Sequence, residues 1–210
     1  MNPHSPLYPI WLKLCQRYGS TQELIDSLWQ EIQQAYSSPD RHYHNLEHLA
    51  AMIRLFQEYE EELEDPDAVL FAIFYHDIVY EVMRQDNEAQ SAAFAAERLP
   101  RLGVSAKVIE RCSQLILATK AHDRAEDSDT QYLLDFDLAI LGAEPEAYRR
   151  YTEQIRAEYA IYPDELYRPG RKQVLEHFLA KDSIFQTGEF QNRLEERARQ
   201  NLRWELSFLE

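Results

Sequence analysis

One segment of the sequence, from Asp67 to about Glu81, is apolar on nearly every side of a predicted helix. A helix without a polar face belongs in the middle of a core. Asp65 is a suitable N-cap for it, and Pro66 suits the first helical position. The segment nevertheless contains the pair His76-Asp77, and a buried ionised carboxylate needs a cation or several hydrogen-bond donors. This segment therefore constrains both the fold and the chemistry of the chain.

The remaining sequence also favours helices. Only five of the 210 residues are glycine, and Glu, Gln, Leu, Ala and Arg dominate, which argues against hairpins and glycine-rich phosphate loops. The pattern Ser20-x-x-Glu23 predicts a capping box, and residues 167–170 predict a turn. We therefore expect one all-α domain over 1–210, with a metal-site core at about 43–142 and C-terminal helices packed on it over 145–208. Further helices are expected over 20–36, 45–62, 87–99, 105–119, 132–141, 145–159, 171–181 and 189–208.

The charge and the cysteine content limit which partners and which kinds of metal site are expected. The formal net charge is −15, with 37 acidic and 22 basic residues, so duplex nucleic acid is not an expected partner. No stretch has the pattern of a signal peptide or a membrane span, and we expect a soluble, cytoplasmic protein. Cys15 and Cys112 form neither a disulfide framework nor a CxxC. Any metal must therefore be held by His and carboxylate side chains. The oligomeric state cannot be read from the sequence.

Two further motifs carry candidate ligands. The string Tyr43-His44-Asn45-Leu46-Glu47-His48 places His44 and His48 four residues apart, on one face if a helix begins there; both could instead be capping and packing histidines. The apolar stretch 133–141 contains Asp135 and Asp137, which point to different faces of a helix. These two could also be acids at a helix N-terminus, where the helix dipole favours them.

Taken in order, His44-x3-His48, His76-Asp77 and Asp135 or Asp137 resemble the HD superfamily of metal-dependent phosphohydrolases. The YHNxxH string is also similar to the opening motif of cyclic-nucleotide phosphodiesterase catalytic domains, which share the HD core. The phrases at 77–80, 86–92 and 135–142 are similar to a small bacterial HD family of unassigned substrate. The resemblance implies an all-α HD-domain helical bundle.

The resemblance also implies roles for individual residues. His48, His76, Asp77 and Asp137 would bind one divalent cation, with Asp135 as the alternative to Asp137. A set of two imidazoles and two carboxylates suits Mn, Fe, Co, Ni or Zn better than Mg. His44 matches the phosphodiesterase residue that protonates the leaving oxygen.

Other residues are weaker candidates. Glu81, four residues past Asp77 on the predicted helix, or Glu88 could orient an attacking water. Lys120, His122 and Arg171 could contact a substrate phosphate. The alternatives are an exposed loop pair for Lys120 and His122, and a solvated helix end for Arg171.

These features predict metal-dependent hydrolysis of a phosphoester or phosphoanhydride in a nucleotide or another small phosphorylated molecule. One alternative is a non-catalytic HD-type module that binds a metal or nucleotide in signalling. Another is a haloacid-dehalogenase-type phosphatase that uses Asp135-x-Asp137 as a nucleophile loop. That fold requires a parallel sheet, which the low glycine content disfavours.

Overall fold

The computed structural model describes residues 5–209, which form ten α-helices, three short 3₁₀ helices and no strand. The expectation of an all-α chain is therefore confirmed. None of these helices is both long and apolar enough to span a membrane. The α-helices are α1 Tyr8–Gln16, α2 Gln22–Tyr36, α3 Leu46–Tyr59, α4 Pro66–Tyr75, α5 Asn87–Arg98, α6 Ala106–Ala118, α7 Ser128–Leu138, α8 Pro145–Glu158, α9 Asp164–Ala180 and α10 Gly188–Leu206, and the 3₁₀ helices are Glu60–Glu62, Leu99–Leu102 and Ala139–Gly142.

The chain divides into two compact units, Met1–Asp123 and Arg124–Glu210. The first unit contains α1 to α6, and the second contains α7 to α10. The sequence-based expectation of a single domain over 1–210 stays a prediction.

Helix α4 is the centre of the first unit. Every residue from Ala68 to Tyr75 is buried, and the helix contacts α3, α5 and α6. Its start follows the predicted rules, because the Asp65 carboxylate accepts a hydrogen bond from the Ala68 N–H at 3.1 Å and Pro66 occupies the first turn. Burial on all sides explains why this helix needs no polar face.

The end of α4 differs from the expectation. The helix stops at Tyr75 with His76 as its C-cap, so the expected continuation to Glu81 is wrong. Beyond this point the backbone pairs with side chains from other elements. For example, the Val79 N–H donates to Ser91 Oγ at 3.1 Å, and Ser91 Oγ donates to the Val79 carbonyl at 3.2 Å. These partners replace the helical hydrogen bonds that the apolar pattern suggested.

Two other local expectations are also corrected. Thr21, not Ser20, caps α2, because its hydroxyl accepts from the Leu24 N–H whereas Ser20 donates to the Leu102 carbonyl. The turn expected at 167–170 lies inside α9, which continues through Pro169. Proline in a helix removes one backbone hydrogen bond, and here the buried residues that follow in the same helix, Arg171 and Leu175, hold it in place.

In the second unit, α10 contacts α8, α9 and the 3₁₀ helix Ala139–Gly142. The closest approach is at Gly142, where an added Cβ would lie 2.6 Å from Leu194 Cβ and 3.0 Å from the Leu194 carbonyl oxygen. A glycine is therefore needed here for close packing, because any side chain would collide with α10.

We predict that Gly142→Ala lowers the free energy of unfolding by about 1–3 kcal/mol, the usual cost of overpacking. The matched control is Gly170→Ala within α9, where an added Cβ meets nothing within 4 Å. That change should raise stability by about 0.5–1 kcal/mol because alanine is the better helix former. Chemical denaturation measures both, and a Gly142→Ala protein as stable as the wild type would contradict the packing argument.

Candidate metal centre

His76 lies at the C-terminal end of α4 with 1% of its surface exposed. Its Nδ1 is 2.9 Å from the Ile73 carbonyl oxygen one turn earlier. A carbonyl can only accept, so Nδ1 carries the proton and donates to it. In the neutral imidazole, Nε2 then carries the electron pair that can accept a proton or bind a metal. Many metal-binding histidines are oriented in this way by a carbonyl behind the ring.

His48 approaches the same point from α3. Asn45 caps this helix by accepting the Glu47 N–H at 2.8 Å, so the helix begins at Leu46 and His48 falls on its buried side with 4% exposure. His48 Nε2 is 3.2 Å from His76 Nε2.

The distance between the two nitrogens fits shared coordination. Donor atoms about 2.0–2.1 Å from one ion, at roughly 90–110° to each other, lie about 2.8–3.4 Å apart. These two buried nitrogens could therefore serve as two ligands of one metal ion.

Asp77 adds a carboxylate beside this pair. Its Oδ2 is 3.2 Å from His76 Nε2, and its side chain is 15% exposed. Asp77 follows α4 instead of lying within it, so its carboxylate is only partly removed from solvent. It lies near the negative end of the α4 dipole, where a second negative charge is unfavourable without a cation. An imidazole nitrogen and a carboxylate oxygen are both donor types that divalent transition metals accept.

His44 lies next to the pair but outside α3, directly before the Asn45 cap. Its ring centroid is 5.9 Å from that of His48, and it stacks on Tyr80 at 4.2 Å with an angle of 29° between the rings. The ring of Tyr43 contacts both histidines at 4.9 Å. The half-buried His44 imidazole is thus fixed by aromatic contacts beside the candidate ligands.

The two late aspartates of α7 have different surroundings. Asp135 is fully buried, and it accepts hydrogen bonds from Gln186 N, Thr187 N and Thr187 Oγ1 at 2.6–2.8 Å. Burial raises the pKa of its carboxyl to about 6, against the lowering effect of these hydrogen bonds. Both Asp135 oxygens are therefore engaged at the start of α10, whereas Asp137 is half-buried on another face of α7.

The candidates for orienting water lie after α4. Glu81 and Asp77 both lie after the end of α4, so the expectation that they share a helix is wrong. The Glu81 side chain is 66% exposed, and its Oε1 is 3.9 Å from Arg84 Nη1. Glu88 is half-buried in the first turn of α5. Their proposed role stays a prediction.

The phosphate candidates are in separate places. In the first unit, the exposed Lys120 donates from Nζ to the Gln85 carbonyl at 2.8 Å. His122, in the loop after α6, has a left-handed backbone with φ of 49°. Lys120 and His122 thus both lie after the end of α6, outside any helix. Phosphate contact stays a prediction for both residues.

In the second unit, Arg171 forms a buried ion pair. Its Nε and Nη2 donate to Glu205 at 2.7 and 3.0 Å, and the Tyr148 hydroxyl donates to Glu205 Oε2 at 2.5 Å. Both side chains of the pair are 8% exposed. Arg171 is therefore not a solvated helix end, and its partners indicate a structural role that joins α9 to α10.

Sequence reasoning missed two residues beside the site, Arg41 and Tyr36. Tyr36 closes α2, and Arg41 lies in the turn that connects α2 to α3. Periodicity carries no information about such a turn, and the only available signal was the position of Arg41 three residues before His44.

Comparison with known proteins finds no match for this sequence among protein-family models, curated proteins or solved structures.

We predict that Asp135→Asn lowers the free energy of unfolding by about 1–3 kcal/mol, because the new amide NH₂ group would face the donors that now point at the carboxylate. Metal uptake by the folded variant should be unchanged. The matched change Asp137→Asn should weaken metal uptake and leave the free energy of unfolding of the metal-free protein close to the wild-type value. Denaturation combined with elemental analysis of both proteins checks this. An Asp135→Asn variant that keeps its stability and loses metal would identify Asp135 as a ligand.

Proposed function

We propose that this protein is a metal-dependent phosphohydrolase of the HD type, acting on a phosphoester or phosphoanhydride of a nucleotide or another small phosphorylated molecule. The observation that carries the proposal is the pair of buried nitrogens, His48 Nε2 and His76 Nε2, 3.2 Å apart with the Asp77 carboxylate beside them.

The proposed ligands, as the sequence resemblance implies them, are His48, His76, Asp77 and Asp137. For Asp137 the support is the sequence pattern, together with the engagement of Asp135 by Gln186 and Thr187. We propose one divalent cation, of the Mn, Fe, Co, Ni or Zn type. Bound there, such a cation supplies a Lewis acid for a phosphoryl oxygen and lowers the pKa of water.

The residues around the ligands would perform the remaining steps. His44 would donate a proton to the leaving oxygen, since it lies beside His48 and is half-exposed. The stacking of its ring on Tyr80 limits its rotation, which keeps the donor nitrogen in place for transfer.

The protein's charge bears on how a substrate would bind. With a net charge of −15, the chain repels a phosphate on average, so binding requires local positive charge. The cation supplies it at the reacting group, and Lys120 and His122 are the proposed side chains for a further phosphate contact.

Metal binding is expected to stabilise the fold. The chelator-treated protein should unfold at a higher temperature when Mn²⁺, Co²⁺ or Zn²⁺ is added, because an ion at 100 times its Kd stabilises the native state by about 2.7 kcal/mol. His48→Ala and Asp77→Ala should remove this shift, and His42→Ala, at an exposed position nearby, should keep it. Calorimetry measures the shifts, and a wild-type protein that binds none of these metals would refute the proposal.

The His44→Ala variant should keep the metal but lose about 10²–10⁴ in kcat, the usual contribution of general acid catalysis. The loss should be much smaller for a nitrophenyl phosphoester, whose leaving oxygen needs little protonation. Steady-state kinetics on poor and good leaving groups, with Mn²⁺, Co²⁺, Ni²⁺ or Mg²⁺, checks this.

Two results would change the assignment. Loss of metal from His44→Ala, to the same degree as from His48→Ala, would make His44 a ligand. A wild-type protein that binds metal but turns over no member of a nucleotide and phosphoester panel would favour the non-catalytic binding module.

A further inference from the structure

The turn that follows α4 exposes backbone carbonyls close to the candidate ligands. The carbonyls of Asp77 and Ile78 lie past the last residue of α4 and need partners outside the helix. One side chain forms hydrogen bonds with both carbonyls. Arg41 donates from Nη1 to the Asp77 carbonyl at 2.6 Å and from Nη2 to the Ile78 carbonyl at 3.0 Å. A cation at this end of α4 is also favoured by the helix dipole.

The same guanidinium extends to the other side of the site. Its Nη1 also donates to the His44 carbonyl at 3.2 Å. Arg41 thus connects the segment that carries Asp77 with the segment that carries the proposed proton donor. Its guanidinium carbon lies 5.5 Å from the centroid of the Tyr80 ring, which in turn stacks on His44.

The backbone at Asp77 is held on both sides. The Asp77 N–H donates to the Tyr36 hydroxyl oxygen at 3.1 Å, and the Asp77 carbonyl accepts from Arg41. The ring of Tyr36 lies 4.9 Å from the Arg41 guanidinium carbon, which keeps the two side chains together. With both peptide groups fixed, the Cα of Asp77 and the starting direction of its side chain are held, and the carboxylate Oδ2 lies 3.2 Å from His76 Nε2.

We infer that Arg41 is a positioning residue of the metal site, which fixes the Asp77 carboxylate and the His44 imidazole relative to each other without touching the metal. The inference rests on the proposed function, because it assumes that Asp77 is a ligand. Arginine suits this task better than lysine, since its planar group holds several donors in a fixed geometry.

The test uses Co²⁺, whose visible absorption reports the geometry of its ligands. Arg41→Met removes all donors at similar side-chain length, and Arg41→Lys keeps the charge without the planar fork. The matched control is Arg98→Met, since Arg98 in the same unit is also partly buried and contacts Glu31 and the Phe94 ring instead of the site. The melting temperature of each metal-free protein is recorded first, and then Co²⁺ is titrated against a chelating dye.

We expect Arg41→Met to raise the Kd for Co²⁺ by about 10–100-fold, as for other residues that orient metal ligands, and to change the Co²⁺ absorption bands. Arg41→Lys should recover part of the affinity. Arg98→Met should lower the metal-free melting temperature while leaving Kd and spectrum unchanged. If Arg41→Met does not fold, the change in the Kd for Co²⁺ measured with Arg41→Lys tests the inference instead.

The inference is overturned if the folded Arg41 variants bind Co²⁺ with the wild-type Kd and spectrum, or if Arg98→Met weakens binding equally, which would indicate a general loss of stability. A wild-type protein that binds no Co²⁺ or other divalent metal would instead overturn the proposed function, and this inference with it.

Discussion

The candidate metal centre depends on two imidazole nitrogens that face each other inside the first unit. His76 Nδ1–H donates a hydrogen bond to the Ile73 carbonyl, so the electron pair of the neutral ring is on Nε2. His76 Nε2 lies 3.2 Å from His48 Nε2. A proton on His48 Nε2 or a metal ion between the two rings would satisfy this electron pair. The Asp77 carboxylate, 3.2 Å from His76 Nε2, adds negative charge on this side of the ring, and these groups are of the donor types that divalent transition metals accept.

The centre of this unit could be predicted from sequence because the rules involved are local. The apolar run of α4, its Asp65 cap and the proline that follows depend only on neighbours in the chain, and the structure has all three. The end of α4 could not be predicted in this way. Ile78 and Val79 are apolar and continue the pattern, but their backbone groups pair with Arg41 and Ser91, which are distant in the sequence.

The candidate site likewise has features that the local sequence indicates and features that depend on residues distant in the sequence. The resemblance of the motifs to the HD superfamily implied His48, His76 and Asp77 as ligands, and in the structure His76 lies 3.2 Å from each of the other two. They could not separate Asp135 from Asp137, since the difference lies in the donors of Gln186 and Thr187 some fifty residues later. The buried pair of Arg171 with Glu205 was likewise hidden, because an arginine after Pro169-Gly170 resembles an exposed helix start.

The most direct test of the central claim is diffraction from crystals of the metal-loaded protein at the absorption edge of the metal. We expect one strong anomalous peak per chain, about 2.0–2.3 Å from both His48 Nε2 and His76 Nε2 and in contact with an Asp77 oxygen. A map without a peak at this position, or with the ion held by other residues, would contradict the claim.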